Sequence, residues 1–442
     1  MLSGVVMPAS ALPRLLLLAR AHPAVQSLVR ALQARGQEVT AVPEAASWAD
    51  QIGATHDMCA PQHAVVVVMD PVQMSTFEAL LEPHLEPGRG PLTLIGPQPP
   101  DMARWVQRGL GGWWPLEWLD QPDRLCGGLS LDAARWRREE NLRAEAKRLR
   151  AQLDERIIVE RAKGVLMHAR GIGEDVAFKL LRDGSMQSNV RVGDVSKSVV
   201  EAAQWAEAVN RAGQLRMLSQ RLVKLAAQGL MRIDARRART DLSQAQHRIQ
   251  DNLDHLNGLP VVTGSPSFVH DTLVQVRRDW EVLQRCIAQP RSATQLLQCD
   301  RMAEALLVSA EALTLDLEAA SGRRAIHVIN VCGRQRMRAQ RLAKSALLRT
   351  LQGLPASDPG LAADIEAFEA ALVELERLPL SNPQIRDDLS AARAQWRRLL
   401  GGLRGNDDDR GRLEVTQGSD SLLQAFDALT AQYERSLQVI MS

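Results

Sequence analysis

The period of apolar positions changes along the chain, from short strand-like runs to long helical stripes. Over the first ~125 residues short apolar runs alternate with amphipathic segments, the pattern of a parallel α/β sheet. Arg14-Leu-Leu-Leu-Leu-Ala19 predicts a first strand, residues 63–70 a central one and Pro91-Leu-Thr-Leu-Ile95 a later one. From Asp132 the composition turns to Arg, Glu, Ala and Leu, and Leu142, Ala146, Leu149, Leu153 and Ile157 fall on one helical stripe. With charged neighbours on both sides this is a short coiled-coil pattern, satisfied equally by packing within the domain and by dimerisation. A stretch from near Arg156 ending around Arg170-Gly171, one from Glu174 to about Gln187 and one from about Arg191 predict three short helices, with Leu166, Ala177, Phe178, Leu181 and Val195 as their common core. From Val199 to Ser442 the period is helical throughout, broken at Gly258-Leu-Pro260, Gly264-Ser-Pro266, Gln289-Pro290, Gly353-Leu-Pro355, Leu378-Pro379, Asn382-Pro383 and Gly401-Gly402.

That helical half is an internal repeat. Asn210, Gly213, Arg216, Met217, Gln220, Arg221 and Lys224 recur at one constant offset as Asn330, Gly333, Arg336, Met337, Gln340, Arg341 and Lys344. Leu259-Pro260, Trp280 and Ala312-Leu-Thr314 find counterparts in Leu378-Pro379, Trp396 and Ala428-Leu-Thr430. Two copies of four helices each are predicted, their first helices meeting about a pseudo-twofold axis. At about 100° per residue Gly213, Arg216, Met217 and Gln220 share one side of a helix, and Arg221 is turned away from Arg216. The glycines let two helices approach closely, so Arg216 and Arg336 project toward one another. Two buried guanidinium groups repel unless an anion neutralises them, and a small planar oxyanion accepts their forked donors. The alternative is a helical interaction domain whose Arg-Met pairs are surface residues.

Composition narrows the partners. Lys+Arg (54) nearly balance Asp+Glu (52), so a nucleic-acid surface must be local. Five cysteines (Cys59, Cys126, Cys286, Cys299, Cys332), odd in number and without metal-ligand spacing, fit a reducing compartment rather than a disulfide framework. His56, Cys59 and His63 read as loop and strand-edge residues, and no metal site or cofactor is expected. The apolar run from Leu15 to Ala19 is too short to span a bilayer, and no signal peptide is evident, so a soluble cytoplasmic protein is expected.

Three resemblances sharpen this. The N-terminal strands resemble a response-regulator receiver domain, with Asp70 at the strand end where that family carries its phosphoacceptor. The acidic pair that would hold Mg²⁺ is replaced by Ala19-Arg20-Ala21-His22, and the later hydroxyl position by Gly96-Pro97. No lysine follows in the Trp-rich 112–118 segment, so Asp70 is read as a turn residue of a pseudo-receiver. Ala162-Lys-Gly164, Leu166-Met167, Glu174-Asp175, Ala177-Phe178, Leu181-Arg182 and Met186 resemble an ANTAR domain, with Ser185 and Ser196 where that family usually has Ala. The resemblance implies an RNA-binding module whose dimers hold paired hairpin loops of a leader transcript and prevent a terminator. Arg161, Ala162, Lys163, Gly164, Lys179, Arg182 and Ser185 are its candidate contacts, with Arg170 and Arg191 as further cations. With Phe178 on the expected core side, loop shape and backbone contacts outweigh base stacking.

The repeated Asn-x-x-Gly-x-x-Arg-Met motif resembles nitrate- and nitrite-sensing (NIT, PilJ-type) helical domains. That resemblance implies an anion held by Arg216 and Arg336 beside Gly213 and Gly333. Met217, Met337, Gln220, Gln340, Arg221 and Arg341 would support the site from behind.

The expected fold is mostly α: a receiver-like α/β domain (1–131), a coiled-coil-like helix (132–152), a three-helix ANTAR module (153–200) and a duplicated four-helix-bundle sensor (201–442). The expected function is nitrate- or nitrite-responsive antitermination by a homodimer or higher oligomer, with no enzymatic activity, since paired carboxylates, activated nucleophiles and phosphate loops are absent. The rivals are a phosphorelay regulator acting through Asp70 and a signalling scaffold that touches no RNA.

Overall fold

Five short runs pair into one parallel sheet. The computed structural model describes residues 14–19, 23–42, 63–68, 91–99, 101–288, 292–323, 326–354, 359–377, 383–404 and 409–440. It forms two compact units, Met1–Leu153 and Asp154–Ser442. In the first, β1 (Arg14–Ala19), β2 (Val39–Val42), β3 (His63–Val68), β4 (Leu92–Gly96) and β5 (Leu110–Pro115) lie in the order β2-β1-β3-β4-β5. All neighbouring pairs are parallel, an order common in doubly wound sheets. Helix α1 (Pro23–Ala34) buries Val25, Leu28 and Leu32 in the same core as Leu15, Leu17 and Val66.

The Trp-rich segment is partly strand: Gly112, Trp113 and Trp114 belong to β5, although no apolar alternation announces them. Gly112 is required there, because a Cβ would strike the carboxylate of Asp132. Asp132 accepts from Thr93 Oγ1 at 2.9 Å and Trp114 Nε1 at 2.8 Å. Burial pushes its carboxyl upward against the pull of those hydrogen bonds. Asp70, Arg20, Ala21, His22, His56 and Cys59 lie outside the described residues.

After α2 (Met102–Gln107) and a 3₁₀ turn (Leu116–Asp120), helix α3 runs unbroken from Pro122 to Arg170. It starts earlier than the composition shift at Asp132 suggests, with proline in its first turn, where the missing N–H is harmless. Leu142, Leu149, Leu153 and Ile157 on its predicted stripe are all exposed. The helix stops at Gly171, φ +62°. Helix α4 (Glu174–Ser188) carries Glu174 and Asp175 in its first turn, favoured by the helix dipole. It ends at left-handed Asn189 (φ 54°), and Ser185 Oγ donates to the Val190 carbonyl at 2.6 Å across the turn.

Helix α5 (Val192–Leu230) follows. The three short helices expected are therefore one short helix between the ends of two long ones. Ala162, Leu166, Ala177, Leu181, Val195 and Val199 form their core. Phe178 is not part of it and is 42 % exposed, because the buried stripe takes Ala177 and Leu181 and a step of one residue turns the side chain by about 100°.

The rest of the second unit comprises α6 (Ala235–Gly258), a one-turn helix (Pro260–Thr263), α7 (Ser267–Ile287), α8 (Ala293–Ser321), α9 (His327–Leu351), α10 (Pro359–Arg377), α11 (Pro383–Arg404) and α12 (Asp409–Ile440). Each repeat thus contains four main helices, α5–α8 and α9–α12. The first helices α5 and α9 pack on each other, and each packs on the last helix of its own repeat, α8 or α12. Trp280 and Trp396 are buried in the one core they share.

The disulfide-free reading of the cysteines needs correction. The α7–α8 hairpin brings Cys286 and Cys299 together as a disulfide, with Cα atoms 5.6 Å apart. Their spacing of 13 residues carries no signal of this, since only the turn between helices creates the contact. At the equivalent place in the second repeat Gly402 packs on Val415 instead.

Candidate functional site

The α5–α9 contact is built around two glycines. A Cβ on Gly333 would lie 3.8 Å from the Cα of Gly213, 2.9 Å from Arg216 Nη2 and 3.4 Å from Arg336 Nη2. A Cβ on Gly213 would lie 3.1 Å and 3.7 Å from the same two nitrogens. The absent side chains therefore make the space in which the two guanidinium groups converge. Arg216 and Arg336 are 0 % and 1 % exposed, and Met217 and Met337 are buried beside them.

Each arginine is held by a matching set. Arg216 Nη1 donates to Glu311, and its Nη2 to the Asn330 carbonyl at 3.4 Å. Arg336 Nη1 donates to Asp427 Oδ1 at 2.6 Å and Nη2 to Asn210 Oδ1 at 2.7 Å. Asn330 Nδ2 donates to Glu318, while Asn210 hydrogen-bonds Glu434. Lys344 pairs with Asp300 and Glu304, and Lys224 with Asp420.

The acids thus form two ladders at heptad spacing, Glu304-Glu311-Glu318 on α8 and Asp420-Asp427-Glu434 on α12, facing the Lys, Arg and Asn rungs of α5 and α9. Glu311 and Asp427 immediately precede the Ala-Leu-Thr repeat already evident in the sequence, with Glu304 and Asp420 seven residues earlier, and their shared offset with it was the available signal. Glu434 and Glu318 close the set one turn beyond.

Both Arg216 Nε and Arg336 Nε are buried and make no hydrogen bond within the protein, as are the Oε1 atoms of Gln220 and Gln340. Buried donors are almost always paired, and these two, at equivalent positions of the repeat, have hydrogen-bonding capacity to offer an acceptor from outside the protein. Burial lowers the Arg216 pKa to about 10, against the pull of Glu311, and the group stays cationic at neutral pH. Glu311 is held below the ordinary carboxylate range, burial being outweighed by Arg216 and Arg334.

Burial pushes the Glu434 carboxyl up to about 7 despite Arg336 and Asn210. Arg221 pairs with Asp420 at 2.6 Å and Asp241 at 3.2 Å. Arg341 lies 3.7 Å from Glu304 and 3.6 Å from Asp364. Both are thus engaged away from the converging pair.

In the three-helix module the expected contacts divide. Arg161, Gly164, Lys179, Arg182 and Arg191 are exposed and Ser185 and Arg170 partly so. Ala162 is in the core. Lys163 is 7 % exposed, with Nζ 2.8 Å from Glu160 and 2.6 Å from Glu174. It ties α3 to α4, and direct phosphate contact would require both pairs to open. Arg161, Val165 and His168 on α3 line an open groove of about 1130 Å³ with Asn210, Arg211 and Glu434. Among the described residues no group of His, Cys, Asp and Glu is arranged to hold a metal ion.

Residues 147–200 match the family model of the ANTAR domain. Residues 201–302 and 319–405 match the model described as type IV pili methyl-accepting chemotaxis transducer N-term, PilJ. The two PilJ segments fall on the two repeats, and the gap between them lies within α8. These matches support an ANTAR-type regulator carrying a PilJ-type helical domain, with RNA binding and antitermination as the class of activity the ANTAR module suggests. No curated protein matches the chain. Among the described residues no helix is long and apolar enough to cross a membrane.

Proposed function

We propose that the chain is a nitrate- or nitrite-responsive antitermination regulator, in which a small oxyanion bound between Arg216 and Arg336 controls how residues 153–200 engage hairpins of a leader RNA. The observation that carries this is the pair of buried, unsatisfied Nε donors on two arginines that already converge at the glycine gap. Glu311 and Asp427 occupy one edge of each guanidinium and leave the Nε donors for a planar anion. The resemblance of the repeated motif supports nitrate or nitrite over other anions.

Coupling has a direct physical route. Helix α5 contributes Val195 and Val199 to the three-helix core and Arg216 to the anion site without a break. A shift of α5 against α9 on anion binding therefore moves the third helix of the RNA module. The ligand shifts the equilibrium only by its difference in affinity between the two arrangements. The chain acts by binding and not by catalysis, in the cytoplasm and as a homodimer, with the N-terminal unit as a pseudo-receiver scaffold.

Titration calorimetry of the full chain with nitrate, nitrite, chloride and sulfate tests this reading. Saturable nitrate or nitrite binding is expected, and Arg216→Ala or Arg336→Ala should each weaken it by ~10- to 150-fold, the worth of a charge-assisted hydrogen bond of about 1.5–3 kcal/mol. Wild-type protein that binds neither anion removes the sensor reading and leaves the RNA module under some other control.

A further inference from the structure

Helix α4 presents an aromatic ring to solvent beside two unpaired cations. Phe178 is 42 % exposed and Met186 62 % exposed. Lys179 and Arg182 are exposed, and neither has a carboxylate partner among the described residues. On a helix Phe178, Arg182 and Ser185 follow at i, i+4 and i+7 and share one face, with Lys179 and Met186 on its flank. Two first-turn acids border this face: Glu174, one turn before Phe178, is paired with Lys163, and Asp175 projects between Arg182 and Lys179. The opposite stripe is spent on the core through Ala177 and Leu181.

Phe178 is not a lone exposed apolar residue, since Val176 and Met186 of the same helix are 49 % and 62 % exposed, and clustered exposure of this kind marks an interaction surface. The ring of Phe178 is not part of this core, and with exposed His168 on α3 it is one of two aromatic rings among the module's described residues on which a nucleic-acid base can stack. Unstacked loop bases are recognised in this way, with basic side chains neutralising the adjoining phosphates.

We infer that Phe178 is the base-stacking platform of the RNA module, receiving one splayed loop nucleotide while Lys179 and Arg182 hold its flanking phosphates. The occupant is single-stranded RNA of a hairpin loop. The charge of the face favours it over an apolar protein surface, since Lys179 and Arg182 outnumber Asp175 on that flank. The inference rests on the RNA-binding reading above and adds a contact of a different kind: π-stacking, tolerant of base identity and insensitive to salt, beside salt-sensitive phosphate contacts. Ser185, whose hydroxyl donates to the Val190 carbonyl, braces the end of the face.

The test starts from two-hairpin RNAs with randomised loops, selected on the full-length wild-type chain. A selected RNA is remade with 2-aminopurine at single loop positions. Phe178→Ala and Phe178→Leu are expected to lose roughly 5- to 150-fold in affinity with an unchanged salt slope, and Phe178→Trp to retain it. Arg182→Ala should lower the salt slope by about one. One 2-aminopurine should be quenched by the wild type and not by Phe178→Leu. Because the ring is exposed, circular dichroism of the variants should match the wild type.

Wild-type affinity in Phe178→Leu would overturn the stacking role while leaving the RNA reading intact. A change in the sedimentation of RNA-free Phe178→Ala would also overturn it, by assigning the face to a protein contact. Failure of any RNA to enrich would remove the RNA reading itself and this inference with it.

Discussion

Gly333 and Glu434 test the proposed anion site one residue at a time. A methyl group on Gly333 would sit 2.9 Å from Arg216 Nη2, so the end of that side chain must shift. Gly333→Ala should therefore push the guanidinium out of register and weaken nitrate binding at least ~10-fold in calorimetry, since tight packing passes small shifts on. Its melting temperature should fall by only a few degrees, because what moves is the end of a side chain.

Glu434 gives the site a pH dependence. Its carboxyl is neutral below about 7 and anionic above it, beside the Asn210 that holds Arg336. Nitrate affinity should fall as pH rises from 6 to 8, and Glu434→Gln should flatten the profile. The sign for stability is the same: a carboxyl raised from its ordinary 4.5 to about 7 contributes fully below the ordinary value, and that contribution is lost as pH rises through about 7. Equal nitrate affinity at both pH values in the wild type would refute the coupling.

At this scale the repeat made Arg216, Arg336 and the two glycines legible, because duplication displays the spacing twice. The acid ladders were harder to see, since Glu and Asp at heptad spacing on a helix usually face water. Only the packing of α8 and α12 on the first helices turns them inward. Lys163 and Phe178 exchanged their expected places for a related reason: a three-helix core is narrow, and the helix phase decides which neighbour it takes.

Helices transmit what residues bind. Strands of the first unit were legible where apolar runs were pure, as in β1 and β3, and illegible in β5, where Gly-Gly-Trp-Trp has no period. Helix ends were legible at Gly171 and Glu174, where a left-handed glycine and acidic first-turn residues act locally. Continuity was legible from Val199 onward, where no breaker interrupts the period, but not the full extent of the module's outer helices, which reach 49 and 39 residues. That continuity gives a prediction. Ala203 lies in α5 between the RNA module and Arg216, and proline there breaks the helix at ~3 kcal/mol or more. Ala203→Pro should leave nitrate binding within a few-fold of wild type and abolish its effect on RNA affinity. Retained coupling would show that the signal takes another path.

For the whole molecule, the exposed α3 stripe is the seam proposed for association. Leu142, Leu149, Leu153 and Ile157 are 48–59 % exposed, and each leucine buried in a dimer seam would contribute ~1.5–3 kcal/mol. Sedimentation velocity should show a dimer that Leu149→Glu together with Leu153→Glu converts to monomer, with two-hairpin RNA binding weakened in parallel. A wild-type monomer at micromolar concentration would contradict the seam.

The central claim is that anion occupancy at Arg216 and Arg336 controls the RNA module, and it is tested most directly by following RNA affinity through a nitrate titration. Fluorescence anisotropy with a selected two-hairpin RNA should show affinity rising with nitrate at a midpoint linked to the calorimetric Kd. RNA should tighten nitrate binding by the same factor, as linkage requires, and Arg336→Ala should give a flat response. Nitrate that binds the wild type but leaves RNA affinity unchanged would contradict the account.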